Sequence, residues 1–412
     1  MFTALQKREI IVGVTGGIAA YKITELVRAL TKLGANVHVV MTKNAMEFIT
    51  PLTFQTISGN PVTHEMFQLL TGGKIGHIAL SEIADQMVIA PATANVIGKV
   101  ANGIADDFLT TMVMATRVPV LFVPSMNTKM WESSIVQGNI EKLKENGYEF
   151  MDPASGDLAC GWQGKGRLPP IEDIVEKMED IFTEKDYLDL RVLVTAGPTI
   201  EFIDPVRCIT NRSSGKMGYA VAKIARRRGA EVVLIAGATS IAPPRSDIQL
   251  IKVATAEEMS AVVMKEQPRA QVIVMAAAVA DYRCKEESCE KIKKKEEQDE
   301  VALTLSKNPD ILAELGRLIG DRTLVGFAAE TENVIEHARD KLRRKHLDLI
   351  VANDVSKSGI GFGADDNEVT IIDAAGGAVH VPKLSKDEIA QIILDEALKV
   401  TRKKKKTEED WY

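Results

Sequence analysis

Two strand–turn–helix starts, one in each half of the chain, constrain the fold more than any other feature of the sequence. The first is the segment IIVGVTGGIAAYK at residues 10–22, and the second is VLVTAGPT at residues 192–199. In each, an apolar run typical of a strand comes directly before a turn that contains glycine. Such a turn is where an α/β sheet holds a phosphate group. Two of them predict two nucleotide sites and two successive reactions on one chain.

The composition of the chain limits the number of domains and the classes of protein to which it could belong. A chain of 412 residues of which 45% are hydrophobic is expected to form two or three well-packed domains. The net charge of −6 gives no reason to expect a nucleic-acid partner. We expect no membrane span, because no apolar stretch reaches ~18 residues. The four cysteines form no CxxC pair and no secretion signal precedes them, so we expect a reduced, cytoplasmic protein.

Alternating strand-like and helical patterns predict an α/β fold with two doubly wound domains, each with a mainly parallel sheet. We predict the domain boundaries 1–188 and 189–412, and interpret 284–300 as a mobile loop and the lysines at 403–406 as a solvated tail. The predicted strands are 9–14, 36–41, 86–90, 119–123, 192–196, 231–236, 272–276, 323–326 and 348–352, with a hairpin at 368–373 and 378–381. The predicted helices are 18–33, 44–58, 93–104, 106–116, 132–146, 171–184, 215–229, 256–266, 309–319 and 332–346.

The residues that end the second strand of each half argue against a nicotinamide dinucleotide. A dinucleotide fold usually places an acidic residue there, where it binds the adenosine ribose. The first half has Met41 and Thr42 at this position, and the second has Ala236 and Gly237. Neither glycine turn fits GxGxxG. Phosphate binding by backbone N–H groups remains open at both turns, as does a tight turn without any ligand.

Four unusual segments follow in the first half: GHI at 76–78, PATAN at 91–95, PSMNTKMW at 124–131 and LACGWQGKGR at 158–167. The second and third come directly after strands, where open α/β sheets bind their ligands. Each has an ordinary alternative, namely a structural histidine, a helix N-cap, core packing and an inert cysteine.

Together with the GGIAAYK turn, the histidine, the PxMNxxMW segment and the ACGxxGxGR loop resemble the flavin-dependent cysteine decarboxylases, specifically those acting on 4′-phosphopantothenoylcysteine. The resemblance implies FMN as a transient acceptor of hydride from the cysteine Cβ. His77 would assist the oxidation, Asn127 would bind the substrate carboxylate or amide, and Cys160 would donate the proton when hydride returns. The implied FMN contacts are Gly16, Gly17, Ile18, Thr42, Thr93 and Asn95, and the implied substrate contacts are Met126 and Met130. Pro170 stands where the family commonly has an acidic residue.

The second half carries its own set of polar segments: DPVRCITNRSSGKMG at 204–218, AAAVADY at 276–282, KIKK at 291–294, KNPDI at 307–311 and GFAAE at 326–330. Serine and glycine N–H groups at the start of the predicted helix 215–229 could hold an anion. A capped helix start with surface cations is the alternative, and the lysine cluster taken alone is typical of a solvated face.

As a set these segments resemble the bacterial, CTP-using phosphopantothenate–cysteine ligases. The resemblance implies that CTP and Mg²⁺ or Mn²⁺ convert 4′-phosphopantothenate to an acyl-cytidylate, from which the cysteine amine displaces CMP. Lys291 would stabilise the phosphates and Asn211 the acyl intermediate, with Asp281 as metal ligand. The other implied contacts with substrate or CTP are Arg207, Ala277, Asp281, Pro309, Asp310, Ile311, Leu312, Phe327, Lys341 and Lys345.

The whole chain is thus similar to the bacterial fusions of these two enzymes, whose partners are small molecules. That resemblance implies trimeric contacts in the first domain and dimeric contacts in the second, hence a dodecamer. A flavin-binding regulatory protein that lost its chemistry is one alternative, but His77, Asn127 and Cys160 are all present. A two-domain NAD(P) reductase is another, opposed by the missing ribose acids.

Overall fold

The chain folds as two units that meet in sequence at residues 183 and 184. A computed structural model describes residues 4–66, 76–157, 163–242, 247–293, 302–354, 356 and 363–409. Residues 2–183 make up the first unit and residues 184–412 the second. No helix within the described ranges combines the length and the apolar character needed to cross a membrane.

The first unit is built on a five-stranded parallel sheet with the order β2-β1-β3-β4-β5. The described strands are β1 (Glu9–Val14), β2 (Asn36–Met41), β3 (Gln86–Ala92), β4 (Val120–Pro124), β5 (Glu149–Phe150), β6 (Ala154–Asp157) and β7 (Gln163–Arg167), of which the last two pair as an antiparallel ribbon. The described helices are α1 (Ile23–Lys32), α2 (Pro51–Ser58), α3 (Gly76–Ile83), α4 (Ala94–Ala101), α5 (Phe108–Ala115), α6 (Thr128–Trp131), α7 (Ser134–Glu145) and α8 (Ile171–Phe182). The order reverses between β1 and β3, which makes the carboxyl ends of these strands the expected ligand site.

Helices cover both faces of this sheet. Ile10, Val12 and Val14 belong to one buried cluster, whereas Ile11 belongs to another. Successive side chains of a strand point to opposite faces, so β1 contributes to a core on each side. β3 is buried along its whole length. This explains why the strands of the first half are continuous apolar runs rather than alternating ones.

The second unit has an eight-stranded sheet of order β12-β11-β8-β13-β16-β17-β18-β19. The strands are β8 (Arg191–Ala196), β9 (Ile200–Phe202), β10 (Cys208–Thr210), β11 (Glu231–Ala236), β12 (Ile248–Lys252), β13 (Val272–Met275), β14 (Tyr282–Cys284), β15 (Leu305–Lys307), β16 (Thr323–Glu330), β17 (Leu349–Asp354), β18 (Asp366–Asp373) and β19 (Ala378–Ser385). The helices are α9 (Lys216–Arg227), α10 (Ala256–Glu266), α11 (Ile311–Leu318), α12 (Val334–Arg344) and α13 (Lys386–Glu409).

The first six strands of that sheet are parallel and follow the order 3-2-1-4-5-6 of a dinucleotide-binding fold. The hairpin β18–β19 extends the sheet by antiparallel pairing. The strand order reverses between β8 and β13, which again defines one edge as the expected site. The predicted α/β fold class with two mainly parallel, doubly wound domains is confirmed.

The predicted helix 44–58 is wrong in its extent. The structure has a turn of 3-10 helix at Lys43–Ala45, and α2 begins only at Pro51. Thr50 has the extended dihedrals φ −80° and ψ 149°. The ring of a proline disfavours helical dihedrals in the residue before it, so the chain cannot continue from one helical segment into the other.

Residues 403–406 do not form an irregular tail, although Lys403 and Lys405 are exposed to solvent, as predicted. These residues continue α13, whose Ile389, Ile393 and Ala397 are fully buried. Lys404 donates through Nζ to the carbonyl of Arg322 and to Asp348, at 2.8 Å in both cases. The described part of the predicted loop 284–300 lies outside helices and strands after Cys284, while residues 294–300 lie outside the described residues.

Arg228 joins the end of α9 to the segment before β8 and to α13. Its guanidinium binds both oxygens of Asp186, at 2.8 and 2.6 Å, and one oxygen of Asp395 at 2.6 Å. It also lies over the ring of Tyr187, whose hydroxyl donates to the carbonyl of Leu394 at 2.6 Å. The Arg228 side chain is only 3% exposed. The hydrogen bonds from Arg228 hold the pKa of Asp186 below its ordinary value.

We predict that Arg228→Ala lowers the free energy of unfolding of the second unit by about 3 kcal/mol, because it leaves the carboxylate of Asp186 without its buried partner. Amide hydrogen exchange of β8 and α9, followed as a function of urea, measures this unit separately from the first. Because the Asp186 pKa is depressed, its contribution is present above the unfolded pKa and is lost as the pH falls. The wild type should therefore lose more stability in acid than the variant.

Lys223→Ala is the matched control. Lys223 also joins α9 to α13, through Asp387, but both side chains are more than one third exposed. Its loss should cost less than ~1 kcal/mol. Equal losses in the two variants would contradict the role assigned to burial of Arg228.

Candidate functional site

A cavity of about 590 Å³ opens at the carboxyl edge of the first sheet. Its walls come from the segments that follow β1, β2, β3 and β4, together with Gly166 of β7. The predicted residues that line it are Gly16, Gly17, Ile18, Thr42, Thr93, Asn95, Met126, Asn127 and Met130. The structure therefore brings nine sequence-predicted residues to the edge where the strand order reverses.

The glycine turn after β1 is narrow because the segment after β2 packs against it. A Cβ built on Gly16 would lie 2.4 Å from the Cβ of Asn44, closer than real side chains approach. Thr15, which the sequence analysis missed, joins this turn to the segment after β3. Its buried hydroxyl donates to the carbonyl of Pro91 at 2.5 Å and accepts from the N–H of Thr93 at 3.2 Å. A threonine directly after a predicted strand was the available signal.

Capping residues place the ends of short helices around the cavity. The Thr93 hydroxyl accepts from the N–H of Val96, and the Thr42 hydroxyl from the N–H of Ala45. Asn127 caps α6 by accepting from the N–H of Lys129 at 2.9 Å. The ordinary N-cap alternative is thus correct for Thr93, yet the same side chain lines the cavity. The first N–H groups of a helix have no partner within that helix and are available to an anion.

Two lysines that the sequence analysis did not select also line the cavity. Lys99 is held by Asp106 at 2.7 Å and by Asp107 at 3.4 Å, and the hydrogen bond that Lys99 donates to Asp106 raises the pKa of Lys99. Lys43 lies in the wall near the glycine turn and is exposed. A cation on the polar side of the cavity complements a bound anion.

The strand after the predicted catalytic cysteine reaches the same cavity. Gly166 accepts from the N–H of Met126 at 2.9 Å, and a Cβ on Gly166 would lie 2.2 Å from the Met126 carbonyl oxygen. Only glycine allows this approach. Cys160 itself lies outside the described residues. His77 belongs to α3, and its side chain lies outside the part of the structure that is described.

A second constellation lies at the edge of the other sheet where β8 and β13 end. The N–H of Ala278 donates to the Gly197 carbonyl at 2.9 Å, and the N–H of Ala277 donates to the Thr195 hydroxyl at 3.1 Å. Asn211 donates through Nδ2 to the carbonyl of Ala278 at 3.0 Å. These bonds bring three segments predicted from sequence, the glycine turn, the DPVR segment and the AAAVADY segment, to one point.

Asn308 fixes the segment that carries Asp281. Its side chain donates to the carbonyl of Ala280 at 2.9 Å, and its N–H donates to the carbonyl of Asp281 at 2.9 Å. Sequence reasoning missed Asn308 as a supporting residue, although it lies within the KNPDI segment. Pro309 follows directly, so the predicted nucleotide contacts at 309–312 are tied to the segment that joins β13 to β14.

Two lysines of α12 and its end face this region. Lys345 pairs with Asp310 at 2.9 Å, and Lys341 donates to the carbonyl of Phe327 at 2.8 Å. Burial lowers the pKa of Lys341, and repulsion by Lys345 lowers it further, while Glu330, Asp310 and Asp281 act in the opposite direction. Asp281 is therefore electrostatically coupled to the predicted lysines. The side chains of Ile311 and Leu312 are buried, so a ligand would meet their backbone.

The described residues contain no group of three or more His, Cys, Asp or Glu side chains arranged to hold a metal ion. Asp281 is exposed. Mg²⁺ usually binds through one or two carboxylates together with substrate phosphates, so a single carboxylate is compatible with that ion. The metal assignment of Asp281 stays a prediction.

Each half of the chain matches a family of known proteins. A family model described as "Flavoprotein" matches residues 2–183, and one described as "DNA/pantothenate metabolism flavoprotein C-terminal domain" matches residues 187–400. A protein of Vibrio cholerae named "Coenzyme A biosynthesis bifunctional protein CoaBC" is 44% identical over 392 residues, which cover 95% of this chain and 98% of that protein.

A protein of the same name from Bacillus subtilis is 45% identical over 395 residues, covering 95% of this chain and 97% of that protein. Among solved structures, the C-terminal domain of a coenzyme A biosynthesis bifunctional protein CoaBC is 38% identical. It matches with a TM-score of 0.46 over 53% of this chain and all of that one.

We predict that Lys345→Gln raises the pKa of Lys341, because the substitution removes a repelling cation and frees the carboxylate of Asp310. Reductive ¹³C-methylation keeps the charge of lysine and allows titration by NMR, and Lys341→Arg identifies the Lys341 signal. In the wild type this signal should titrate below that of free lysine, and that of Lys99 above it. An unchanged Lys341 signal in the Lys345 variant would contradict the coupling.

Proposed function

The chain belongs to the family of the bifunctional proteins of coenzyme A biosynthesis, and on that premise we propose which residues carry its two reactions. It combines a phosphopantothenoylcysteine decarboxylase with a phosphopantothenate–cysteine ligase. We assign the decarboxylase to residues 1–188 and the ligase to residues 189–412. The proposal is supported by nine predicted residues of the first unit that line one cavity where the strand order of its sheet reverses, and by Asn211 and Ala277 of the second unit, which lie near the corresponding edge of the other sheet.

In the ligase, CTP is the proposed activating substrate. The carboxylate of 4′-phosphopantothenate attacks the α-phosphorus of CTP, a C–O–P bond forms and pyrophosphate leaves. The cysteine amine then attacks the acyl carbon, CMP leaves, and the amine loses a proton to solvent. The first step moves negative charge onto the departing phosphates, so fixed cations favour it. Lys291, Lys341 and Lys345 are the proposed source of that positive charge.

The remaining ligase residues bind and orient. Asn211, which is fixed by its bond to Ala278, offers a neutral amide to the acyl oxygen. Ala277, Asp281, Pro309, Asp310, Ile311, Leu312 and Phe327 are the proposed contacts with CTP, and Arg207 with the substrate. Mg²⁺ or Mn²⁺ bound by Asp281 and the triphosphate would supply further charge neutralisation.

In the decarboxylase, FMN is the proposed cofactor, which the match to the flavoprotein family supports. The cavity fits such a group, because its volume lies within the usual range for ligand sites, roughly 300–1,000 Å³. The glycine turn leaves no room for a side chain at Gly16. Gly16, Gly17, Ile18, Thr42, Thr93 and Asn95 are the residues proposed to hold it. When bound, FMN supplies a reversible acceptor for a hydride equivalent.

The substrate is bound by residues of the same wall. We propose that Asn127 binds its carboxylate or amide and that Met126 and Met130 contact its apolar part. His77 assists the oxidation of the cysteine side chain, and Cys160 donates a proton to the substrate carbon after carbon dioxide has left. The packing of Gly166 against Met126 supports the proposal that the segment containing Cys160 belongs to this site.

We also propose that the protein is a homo-oligomer, with trimeric contacts of the decarboxylase and dimeric contacts of the ligase giving a dodecamer. Ile18 and Met130, which line the cavity, are 55% and 49% exposed, and the neighbouring Tyr21 is 54% exposed. Apolar side chains at the rim of a cavity favour covering by another chain.

The free thiols of Cys208, Cys284 and Cys289 are compatible with the reducing cytoplasm.

Crossed substitutions test the assignment of the two reactions. We predict that His77→Asn abolishes carbon dioxide release from 4′-phosphopantothenoylcysteine and leaves CTP-dependent pyrophosphate release intact. Lys291→Gln should reduce pyrophosphate release to a small residual rate and leave carbon dioxide release intact, because the two sites belong to different units. Both products are measured on both variants. Decarboxylation by His77→Asn, or pyrophosphate release by Lys291→Gln, at near wild-type rate would contradict the role of the residue concerned.

Flavin content tests the glycine turn separately. We predict that Gly16→Ala binds much less FMN per chain, measured by absorbance after release of the flavin, because its Cβ collides with Asn44 and widens the turn. Gly138→Ala is the matched control. Apart from its chain neighbours and its own helix backbone, no atom of the described residues lies within 4 Å of a Cβ at Gly138, so this variant should retain the wild-type flavin content. Equal flavin content in the two variants would argue against the turn as the cofactor site.

A further inference from the structure

The turn between β9 and β10 contains a buried carboxylate that is not among the residues assigned so far. Asp204 is fully buried. Its Oδ1 accepts from the N–H groups of Val206 and Arg207, at 2.9 Å in both cases. Its Oδ2 accepts from Nε and Nη2 of Arg207, at 2.9 and 2.5 Å, and from the N–H of Ile292 at 3.2 Å. Oδ1 thus binds the backbone of the turn, whereas Oδ2 binds the Arg207 guanidinium and the backbone of Ile292.

Arg207 completes a second link to the same residue. Its Nη2 donates to the carbonyl of Ile292 at 2.8 Å. The backbone of Ile292 is therefore held at its N–H by a carboxylate and at its carbonyl by a guanidinium. Four residues earlier, the N–H of Ser288 donates to the carbonyl of Ile203 at 3.1 Å. The segment 288–292 is fastened at both ends to the turn 203–207, and Lys291 lies between the two fastenings.

We propose that Asp204 is a positioning residue of the ligase, which fixes the backbone of Lys291 through Arg207 and Ile292. This inference rests on the proposed role of Lys291 in the attack on CTP. Lysine loses much rotamer freedom when it is held on a ligand, and a mobile backbone would add to that cost. When the backbone of Lys291 is fixed on both sides, only its side chain loses conformational freedom on binding the phosphates. This favours alignment of the ammonium group with the phosphates.

The same contacts refine the part played by Arg207. Nε and Nη2 of its guanidinium are directed to Asp204 and Ile292, whereas Nη1 has no partner among the described residues. Arg207 can thus hold the Lys291 segment and still offer Nη1 to the substrate. Arg207 and the surrounding N–H groups keep the pKa of Asp204 well below its usual range. The link therefore persists throughout the pH range in which an enzyme of this kind works.

Asp204→Asn breaks the link selectively. The amide oxygen can still accept from Val206 and Arg207 within the turn, while the amide nitrogen would face the donors of Arg207 and Ile292. We expect pyrophosphate release to fall about tenfold to a hundredfold, as for a misplaced catalytic group. Asp204→Glu keeps the charge but moves the oxygens by one methylene, and should give a smaller loss. Asp247→Asn, which removes a surface partner of Arg226, is the control and should retain the wild-type rate.

Two further readouts separate positioning from a general loss of structure. Hydrogen exchange of the Ile292 N–H should be faster in Asp204→Asn, while exchange in β8 stays as in the wild type. In the Lys291→Gln background, Asp204→Asn should cause little further loss of the residual rate, because both changes act on one group. Fully additive losses, or faster exchange at Ile292 without slower pyrophosphate release, would overturn the proposal.

The outcomes also distinguish this inference from the function on which it rests. Lys291→Gln with wild-type pyrophosphate release would remove Lys291 from the ligase site, and the positioning role with it. A slow Lys291→Gln variant together with a fast Asp204→Asn variant would leave the ligase assignment standing and overturn only the role of Asp204. Exchange that is faster in β8 as well would show that Asp204 is structural.

Discussion

The reversal of strand order next to the first strand of each sheet is the constraint on which the rest of this structure depends. Crossovers between parallel strands are right-handed, so connections that leave in opposite directions pass over opposite faces of the sheet. The segments after β1 and β3, and those after β8 and β13, therefore diverge and leave a crevice at the carboxyl edge. Hydrogen bonds across the crevice, from Thr15 to Pro91 and from Ala278 to Gly197, fix its width.

The two crevices differ in the charge that surrounds them. The first is lined mainly by backbone, glycine, threonine and asparagine, with Lys99 held by two aspartates in its wall. The second has the half-buried Lys341 beside Lys345, and the charges of these two side chains repel each other. A crevice that offers N–H donors together with the ammonium groups of Lys43 and Lys99 suits a cofactor that carries an anionic group and stays bound. Concentrated positive charge suits a substrate from which a phosphate group leaves, because negative charge builds up on the leaving group.

Much of the fold could be predicted because its strands are apolar runs that end at glycine or proline. The lining of the first cavity was also predictable, since Gly16, Thr42, Thr93 and Asn127 each lie within three residues of the end of a strand. The helix α13 was missed, although Ile389, Ile393 and Ala397 recur with helical spacing, because the charges after Lys403 suggested a tail. Lys404 shows why that reasoning failed: its ammonium has a specific partner in Asp348, which lies far away in sequence.

The supporting contacts of the ligase could not be read from sequence. Asp204 and Arg207 are neighbours in the DPVR segment, but their link to Ile292 joins residues that no local pattern relates. Thr15 and Asn308 act in the same way. Thr15 bonds across the first crevice to Pro91, and Asn308 bonds to Ala280 in the segment after β13. The partners of such residues become apparent only in the folded chain. Residues at strand ends can be predicted, because the apolar pattern of the strand shows where the strand ends.

The central claim is that one chain carries out both reactions in succession. Its most direct test supplies the purified protein with 4′-phosphopantothenate, CTP and cysteine labelled with ¹³C in its carboxyl group, and follows CMP and ¹³CO₂ together. The account predicts that both appear in equal amounts, with no added reductant, and that omission of CTP abolishes both. Formation of CMP without ¹³CO₂, or of ¹³CO₂ from free cysteine in the absence of CTP, would contradict it.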